Sequence, residues 1–191
     1  GAGLTGLTAA LELAARGFDV VVLEGQRIGW GASGRSGGQL IFGYACDMPR
    51  LATLVTRDEA RLLWDLSLVA IDDVRARVVR HAIDCDWVDG QLHVAIKPRQ
   101  RDELREWQQL LARDYGYDGL AFLERDALAA QIDSPRYCAG LHDPRGAHVH
   151  PLKLTLGLAR AAREAGVRIL EQSRAVRLTR GAAPVVHTAQ G

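Results

Sequence analysis

The sequence is short of cysteine, of long apolar runs and of net charge, and each shortage removes a class of function. Cysteine occurs three times in 191 residues, at Cys46, Cys85 and Cys138, with no C-x-x-C spacing. Three cysteines cannot all pair within the chain, and their spacing argues against a zinc site. Both facts suit a reducing, cytoplasmic setting. No apolar run approaches the roughly 20 residues that a membrane-spanning helix needs. The 24 basic and 23 acidic residues leave a formal charge of +1. Electrostatics therefore make no case for nucleic acid or an anionic membrane as a partner. There is no internal repeat and no low-complexity tract. No metal site is expected, because His148 and His150 have no identifiable third ligand and read as loop and packing residues.

Glycine is plentiful, with 20 residues, and it is concentrated where a phosphate loop would be. The chain opens Gly1-Ala2-Gly3-Leu4-Thr5-Gly6, a G-x-G-x-x-G. In a dinucleotide fold the first glycine makes the tight turn, the second admits the pyrophosphate and the third lets the next helix pack on the sheet. The strand that would feed Gly1 is not in the sequence. An Ala- and Leu-rich helix is expected from Leu4 to Arg16, capped by Gly17. A short β-branched run, Asp19 to Glu24, then reads as a buried parallel strand. Glu24 lies 18 residues beyond Gly6 (24 minus 6), near the roughly 20 expected of an acid that takes ribose hydroxyls. A second glycine-rich stretch, Gly29 to Gln39, has the small residues and hydroxyls of a backbone folded close around a ligand.

Farther on, Thr56-Arg57-Asp58-Glu59 is a capping box. The helix it opens has an apolar stripe, expected to be core, at Leu62, Leu63, Leu66, Val69, Ala70, Val74 and Val78. Asp89-Gly90 reads as a hairpin turn between strands at 84–88 and 91–96, starting a second, substrate-binding region. A charged helix is expected over Arg99 to Asp114 and a short one over Glu124 to Ile132. A strand over Ala139 to Asp143 should end in a turn at Pro144-Arg145-Gly146. Pro151 opens an amphipathic helix, Leu152 to Ala165. Strands are expected at 167–171, 175–179 and 185–188.

The opening motif, Glu24 and Gly31-Ala32-Ser33-Gly34-Arg35-Ser36-Gly37-Gly38-Gln39 together resemble the FAD-dependent amine and amino-acid oxidoreductases of the D-amino-acid oxidase and glycine/sarcosine oxidase superfamily. Within that superfamily the motifs resemble those of the γ-glutamylputrescine oxidoreductases, whose second motif usually runs G-A-S-G-R-N-G-G-Q. Here Ser36 replaces the Asn, which keeps a hydroxyl on a shorter side chain. The resemblance implies an α/β fold (α+β overall), with a Rossmann-like FAD-binding domain interleaved with part of an antiparallel substrate domain. The expected boundaries are 1–82 and 146–191 for the FAD domain and 83–145 for the substrate region. The chain reads as the N-terminal half of a typical member.

By resemblance, Gly1, Ala2, Gly3, Leu4, Thr5 and Gly6 hold the FAD pyrophosphate and Glu24 the adenosine ribose. Gln26 and Arg27 lie near the adenosine, and a backbone group of Val176 meets the adenine. Ala32 and Ser33 contact the pyrophosphate or ribityl chain, with Gly34 in the same motif. Arg35, Ser36, Gly37, Gly38 and Gln39 approach the flavin ring. No catalytic side chain is identifiable. The implied reaction is oxidation of a C–N bond in a small amine, such as a γ-glutamylated polyamine, with oxygen or another electron acceptor. The alternatives are a D-amino acid, glycine or sarcosine as substrate, and a flavin-free binding module. Gly1 to Glu24 alone also suit a nicotinamide dehydrogenase, against which the second motif argues.

Overall fold

The computed structural model describes residues 1–189; Gln190 and Gly191, the end of the third expected segment, lie outside the described residues. In chain order the elements begin with α1 (Leu4–Ala15), β1 (Val21–Leu23), β2 (Gln39–Leu40), α2 (Met48–Leu51), α3 (Arg57–Arg80), β3 (Val88–Ala95) and α4 (Pro98–Tyr115). They continue with β4 (Ala121–Glu124), α5 (Arg125–Ala129), β5 (Ala139–His148), α6 (Pro151–Glu164), β6 (Arg168–Leu170), β7 (Ala175–Thr179) and β8 (Val185–Thr188). The chain divides into two compact units that alternate along the sequence. One comprises Gly1–Gly38, Ala76–Trp87 and Val149–Gly191; the other comprises Gln39–Arg75 and Val88–His148.

In the first unit β1 and β6 run parallel, with Val21, Val22 and Leu23 opposite Arg168, Ile169 and Leu170. Helices α1 and α6 pack together. Leu7, Ala10, Leu11, Val22, Leu154, Leu158 and Val167 supply buried apolar surface, at roughly 25 cal/mol per Å² removed from water. The expected first strand is trimmed to three residues, although the Glu24 amide still bonds the Leu170 carbonyl at 2.8 Å. Helix α1 stops before Gly17, whose φ of +84° is cheap only for glycine. Helix α6 starts with Pro151 behind His150, whose ring accepts from the Lys153 amide at 3.4 Å. Strands β7 and β8 form an exposed antiparallel hairpin.

The second unit is a four-stranded antiparallel sheet in which β5 pairs with β2, β3 and β4. Its core is aromatic. Trp64, 1 % exposed, lies 5.0 Å from Phe42, 5.1 Å from Tyr115 and 5.5 Å from Tyr117, ring centre to ring centre. Residues 39–75, expected with the first unit, group with the second. The reason is that β2 pairs with β5 and that Phe42, Met48, Trp64 and Ile71 fill this aromatic core.

Three local expectations are corrected. The buried face of α3 is Ala60, Trp64, Ser67 and Ile71, whereas Leu62, Leu66 and Val69 are exposed at 59 %, 49 % and 56 %. The indole has the most apolar area to hide, and its position sets the rotation of the helix. Asp89-Gly90 is no hairpin turn. Strand β3 runs through it, with a register shift between Asp89 and Gln91 and a φ of +92° at Gly90, a bulge rather than a reversal. Likewise β5 continues past Pro144 to His148. Its residues between Asp143 and Ala147 lie opposite that bulge, where proline forfeits no ladder bond.

Candidate functional site

The first unit gathers its two glycine-rich segments at the start of α1. Gly3 is the N-cap, in extended conformation, with no side-chain cap and no acidic residue in the first turn. The amides of a helix's first turn have no acceptor within the helix. Together with the positive end of the helix dipole they form an anion-receptive end. Space decides the glycines. A Cβ on Gly6 would strike the Gly1 carbonyl oxygen, and one on Gly3 would sit 2.7 Å from Ser33 Oγ. The Leu4 amide donates to Ser33 Oγ at 3.0 Å, and the Gly29 amide to the Ala2 carbonyl at 3.1 Å.

Glu24 closes the cradle from the end of β1. Its Oε2 accepts from the Ala2 amide at 2.7 Å and its Oε1 from the Gln26 amide at 2.8 Å. A carboxylate oxygen has lone pairs beyond these, so the same side chain can still accept from hydroxyls. In the second segment Ala32–Gly34 form one tight 3₁₀ turn. A Cβ on Gly34 would strike the Gly29 carbonyl, and one on Gly38 the Val149 carbonyl. The Arg35 guanidinium lies over the Trp30 ring, 4.6 Å from its centroid.

The fold thus brings Gly1, Ala2, Gly3, Leu4 and Gly6 together with Glu24, the Gln26 backbone and Ser33. Thr5 is exposed in the first turn of α1. Arg27 is exposed, and its carbonyl accepts from the Trp30 amide at 3.0 Å. Ala32 and Gly34 sit in the 3₁₀ turn. Arg35, Ser36 and Gly37 follow, exposed, before the buried Gly38. Gln39 is not gathered with them. It belongs to the second unit, where it pairs with His148. Val176 is 64 % exposed on β7. Its neighbour Ala175 shares a groove of about 350 Å³ with Gly1, Gly6, Leu13 and Val21.

Sequence reasoning missed several supports. Thr155 on α6, whose hydroxyl donates to the Pro151 carbonyl at 2.8 Å, lies 3.4 Å from the Ser33 carbonyl, and Glu171 accepts from the Ile28 amide at 2.7 Å. The Ser173 amide bonds the Glu24 carbonyl at 2.7 Å. These partners lie more than a hundred residues from what they hold, and no local signal marks them.

The second unit holds a buried polar network. Asp143, fully buried, accepts from the Tyr117 hydroxyl at 2.6 Å and from the amides of Arg145 and Gly146 at 3.1 Å each. Burial, and donation to Asp143, push the Tyr117 phenol well above its usual range. Burial pushes His93 down, against the pull of Asp143. In the first unit, Cys85 is raised, first by burial and then by Asp84 and Asp86. All three cysteines are free thiols. Among the described residues no three His, Cys, Asp or Glu side chains cluster as a metal site, and no helix is long and apolar enough to cross a membrane.

Backbone donors at a helix start, glycines that admit close approach and a carboxylate at a strand end fit an adenine dinucleotide. Comparison with known proteins agrees. A family model described as "FAD dependent oxidoreductase" (DAO) matches residues 1–191. The chain is 42 % identical over 173 residues to the "Probable oxidoreductase OrdL" of Haemophilus influenzae, covering 91 % of this chain and 40 % of that protein. It is 41 % identical over 191 residues to the γ-glutamylputrescine oxidoreductase of Escherichia coli, covering 100 % of this chain and 45 % of that protein. It therefore spans less than half the length of these relatives. The crystal structure of glycine oxidase from Bacillus cereus matches with a TM-score of 0.75 at 23 % identity, over 100 % of this chain and 50 % of that one, which shows a shared fold with its parallel and antiparallel sheets. On the family match and on both relatives, this chain belongs to the DAO family of FAD-dependent oxidoreductases.

Proposed function

We propose that this protein oxidises the C–N bond of a small amine of the γ-glutamylputrescine kind. The first unit serves as the FAD-binding domain and the second as the substrate region. The joining of the two glycine segments through Leu4 and Ser33 carries the cofactor half of this reading. The 41 % identity to a γ-glutamylputrescine oxidoreductase over the whole chain supports the substrate half. Bound FAD supplies the hydride acceptor and the electron store.

The chain's own residues bind and orient. The amides at the start of α1 and the Ser33 turn hold the pyrophosphate. Glu24 accepts from the ribose hydroxyls while it keeps Ala2 and Gln26 in place. Gln26, Arg27 and the backbone near Val176 would flank the adenosine, and the segment from Arg35 to Gly38 would approach the flavin. Hydride loss from a neutral amine depends on orientation more than on a strong base. Oxygen or another acceptor then removes the electrons, in a reducing, cytoplasmic compartment that keeps the three thiols free.

The test is a flavin spectrum and a substrate panel. The purified full-length protein is expected to show flavin absorbance that bleaches anaerobically with γ-glutamylputrescine. A full-length protein that takes up no FAD overturns the reading. Bleaching by glycine, sarcosine or a D-amino acid, with none by the γ-glutamyl amine, overturns the substrate.

A further inference from the structure

The second unit carries a groove of about 530 Å³ between the start of α3 and the end of α4, within the roughly 300–1,000 Å³ of small-molecule sites. Every residue that lines it belongs to that unit. Among them are the buried Ala60 and Tyr115. Tyr115 is 9 % exposed, yet its hydroxyl bonds to no other described residue and is not among the polar atoms sealed away without a partner. A phenol so deeply buried ordinarily finds a hydrogen-bond partner; here the hydroxyl opens on the groove instead. Burial, and then the Asp114 charge, push this phenol up, so it stays a neutral donor.

The charges around the groove leave one of each sign unmet. Arg61 pairs with Asp65 at 3.3 Å, and Asp114 with Arg113 at 2.7 Å. Arg61 also reaches the end of α4, where a Cβ on Gly116 would lie 3.9 Å from its guanidinium. Arg57 and Asp58, the first two residues of α3, line the groove and make no ion pair or hydrogen bond among the described residues. Arg113, by hydrogen bond and charge, and then Arg57, by charge, hold the Asp114 carboxyl below its usual range, so Arg57 faces the end of α4. The start of α3 adds the positive end of a helix dipole, and the end of α4 a negative one. A simple anion here meets the unpaired Asp58, and a simple cation meets Arg57. A molecule that carries both charges close together answers both. We propose that this groove binds a small zwitterion of the α-amino-acid class, its carboxylate on Arg57 and the Tyr115 hydroxyl and its ammonium on Asp58. The site goes beyond the flavoenzyme reading and does not depend on it.

The test is calorimetric titration of the full-length protein with L-alanine and with its two truncations, propionate and ethylamine. L-Alanine is expected to give saturable heat. Propionate and ethylamine are expected to bind about tenfold or more weakly, as for loss of a charge-assisted hydrogen bond. R57Q and D58N change exposed side chains and leave the Thr56–Glu59 capping box intact. Each is expected to weaken L-alanine by a similar factor. Y115F keeps the buried ring and is expected to fall between these variants and the wild type. Absence of saturable heat with L-alanine overturns the proposal, as does wild-type affinity in both R57Q and D58N. Propionate or ethylamine bound as tightly as L-alanine overturns the zwitterion. Wild-type affinity in Y115F beside a weakened R57Q overturns the part given to Tyr115.

Discussion

In the first unit glycine is required because backbone sits against backbone; in the second, glycine gives way to aromatic rings as the material of construction. A Cβ on Gly6, Gly34 or Gly38 would strike a carbonyl oxygen of the main chain, and main chain cannot step aside as a side chain can. Around Trp64 the second unit is instead a jigsaw of rings from α3, α4 and the segments beside them. The first arrangement leaves an anion-receptive helix start, because amides and small side chains line it and the Glu24 carboxylate stands at its edge. The second leaves none there and supplies stability. A ligand cradle and a core make opposite demands on side-chain volume.

The contrast is broken most severely at Trp64. W64A is expected to cost about 3–5 kcal/mol, read as an earlier urea midpoint by circular dichroism. A midpoint near wild type removes the aromatic core from its role. Next comes Gly6. G6A forces a Cβ onto the Gly1 carbonyl, and overpacking of that kind costs about 1–3 kcal/mol. FAD affinity is expected to fall with it, and wild-type affinity would show that the loop yields. Glu24 tests the same side by chemistry rather than volume. E24A leaves the Ala2 and Gln26 amides without their carboxylate and is expected to weaken FAD binding by about 1–3 kcal/mol, measured by flavin fluorescence.

Smaller effects sharpen the second unit. Y117F removes one of the three donors that Asp143 accepts from and is expected to cost about 1 kcal/mol in a urea titration. His93 gives the least. Its folded pKa lies below the ordinary 6.5 because burial disfavours the charged ring. The unfolded chain therefore takes up the proton first. This contribution to stability is complete above about pH 6.5 and is lost as the pH falls through the lower folded value. H93Q is expected to flatten that part of the stability profile, and an unchanged profile places the proton elsewhere.

Legibility followed the range of the interaction. The capping box at Thr56 was readable because both partners lie within four residues. Glu59 Oε2 accepts from the Thr56 amide at 2.8 Å, and the Glu59 amide donates to Thr56 Oγ1 at 3.3 Å. The end of α1 was readable from Gly17, at positive φ. The rotation of α3 was not, because its leucine and valine stripe competes with one indole whose partners, Phe42, Tyr115 and Tyr117, come from elsewhere in the chain. Nor was the continuity of β3 through Asp89-Gly90. That dipeptide favours a hairpin in isolation, and only pairing with β5 on both sides keeps the strand running.

By itself the sequence determined that a glycine-rich loop opens a helix, that a short apolar strand ends on Glu24, and that a second glycine segment follows. All three are consequences of local sterics and hydrogen-bonding capacity. Only the tertiary structure decided that Ser33 meets the Leu4 amide, that Glu171 braces the loop from across the chain, and that residues 39–75 belong with the aromatic core. Those contacts join segments far apart in sequence. Their selection depends on which surfaces pack and which backbone groups remain to be paired, and no short stretch of sequence contains that information.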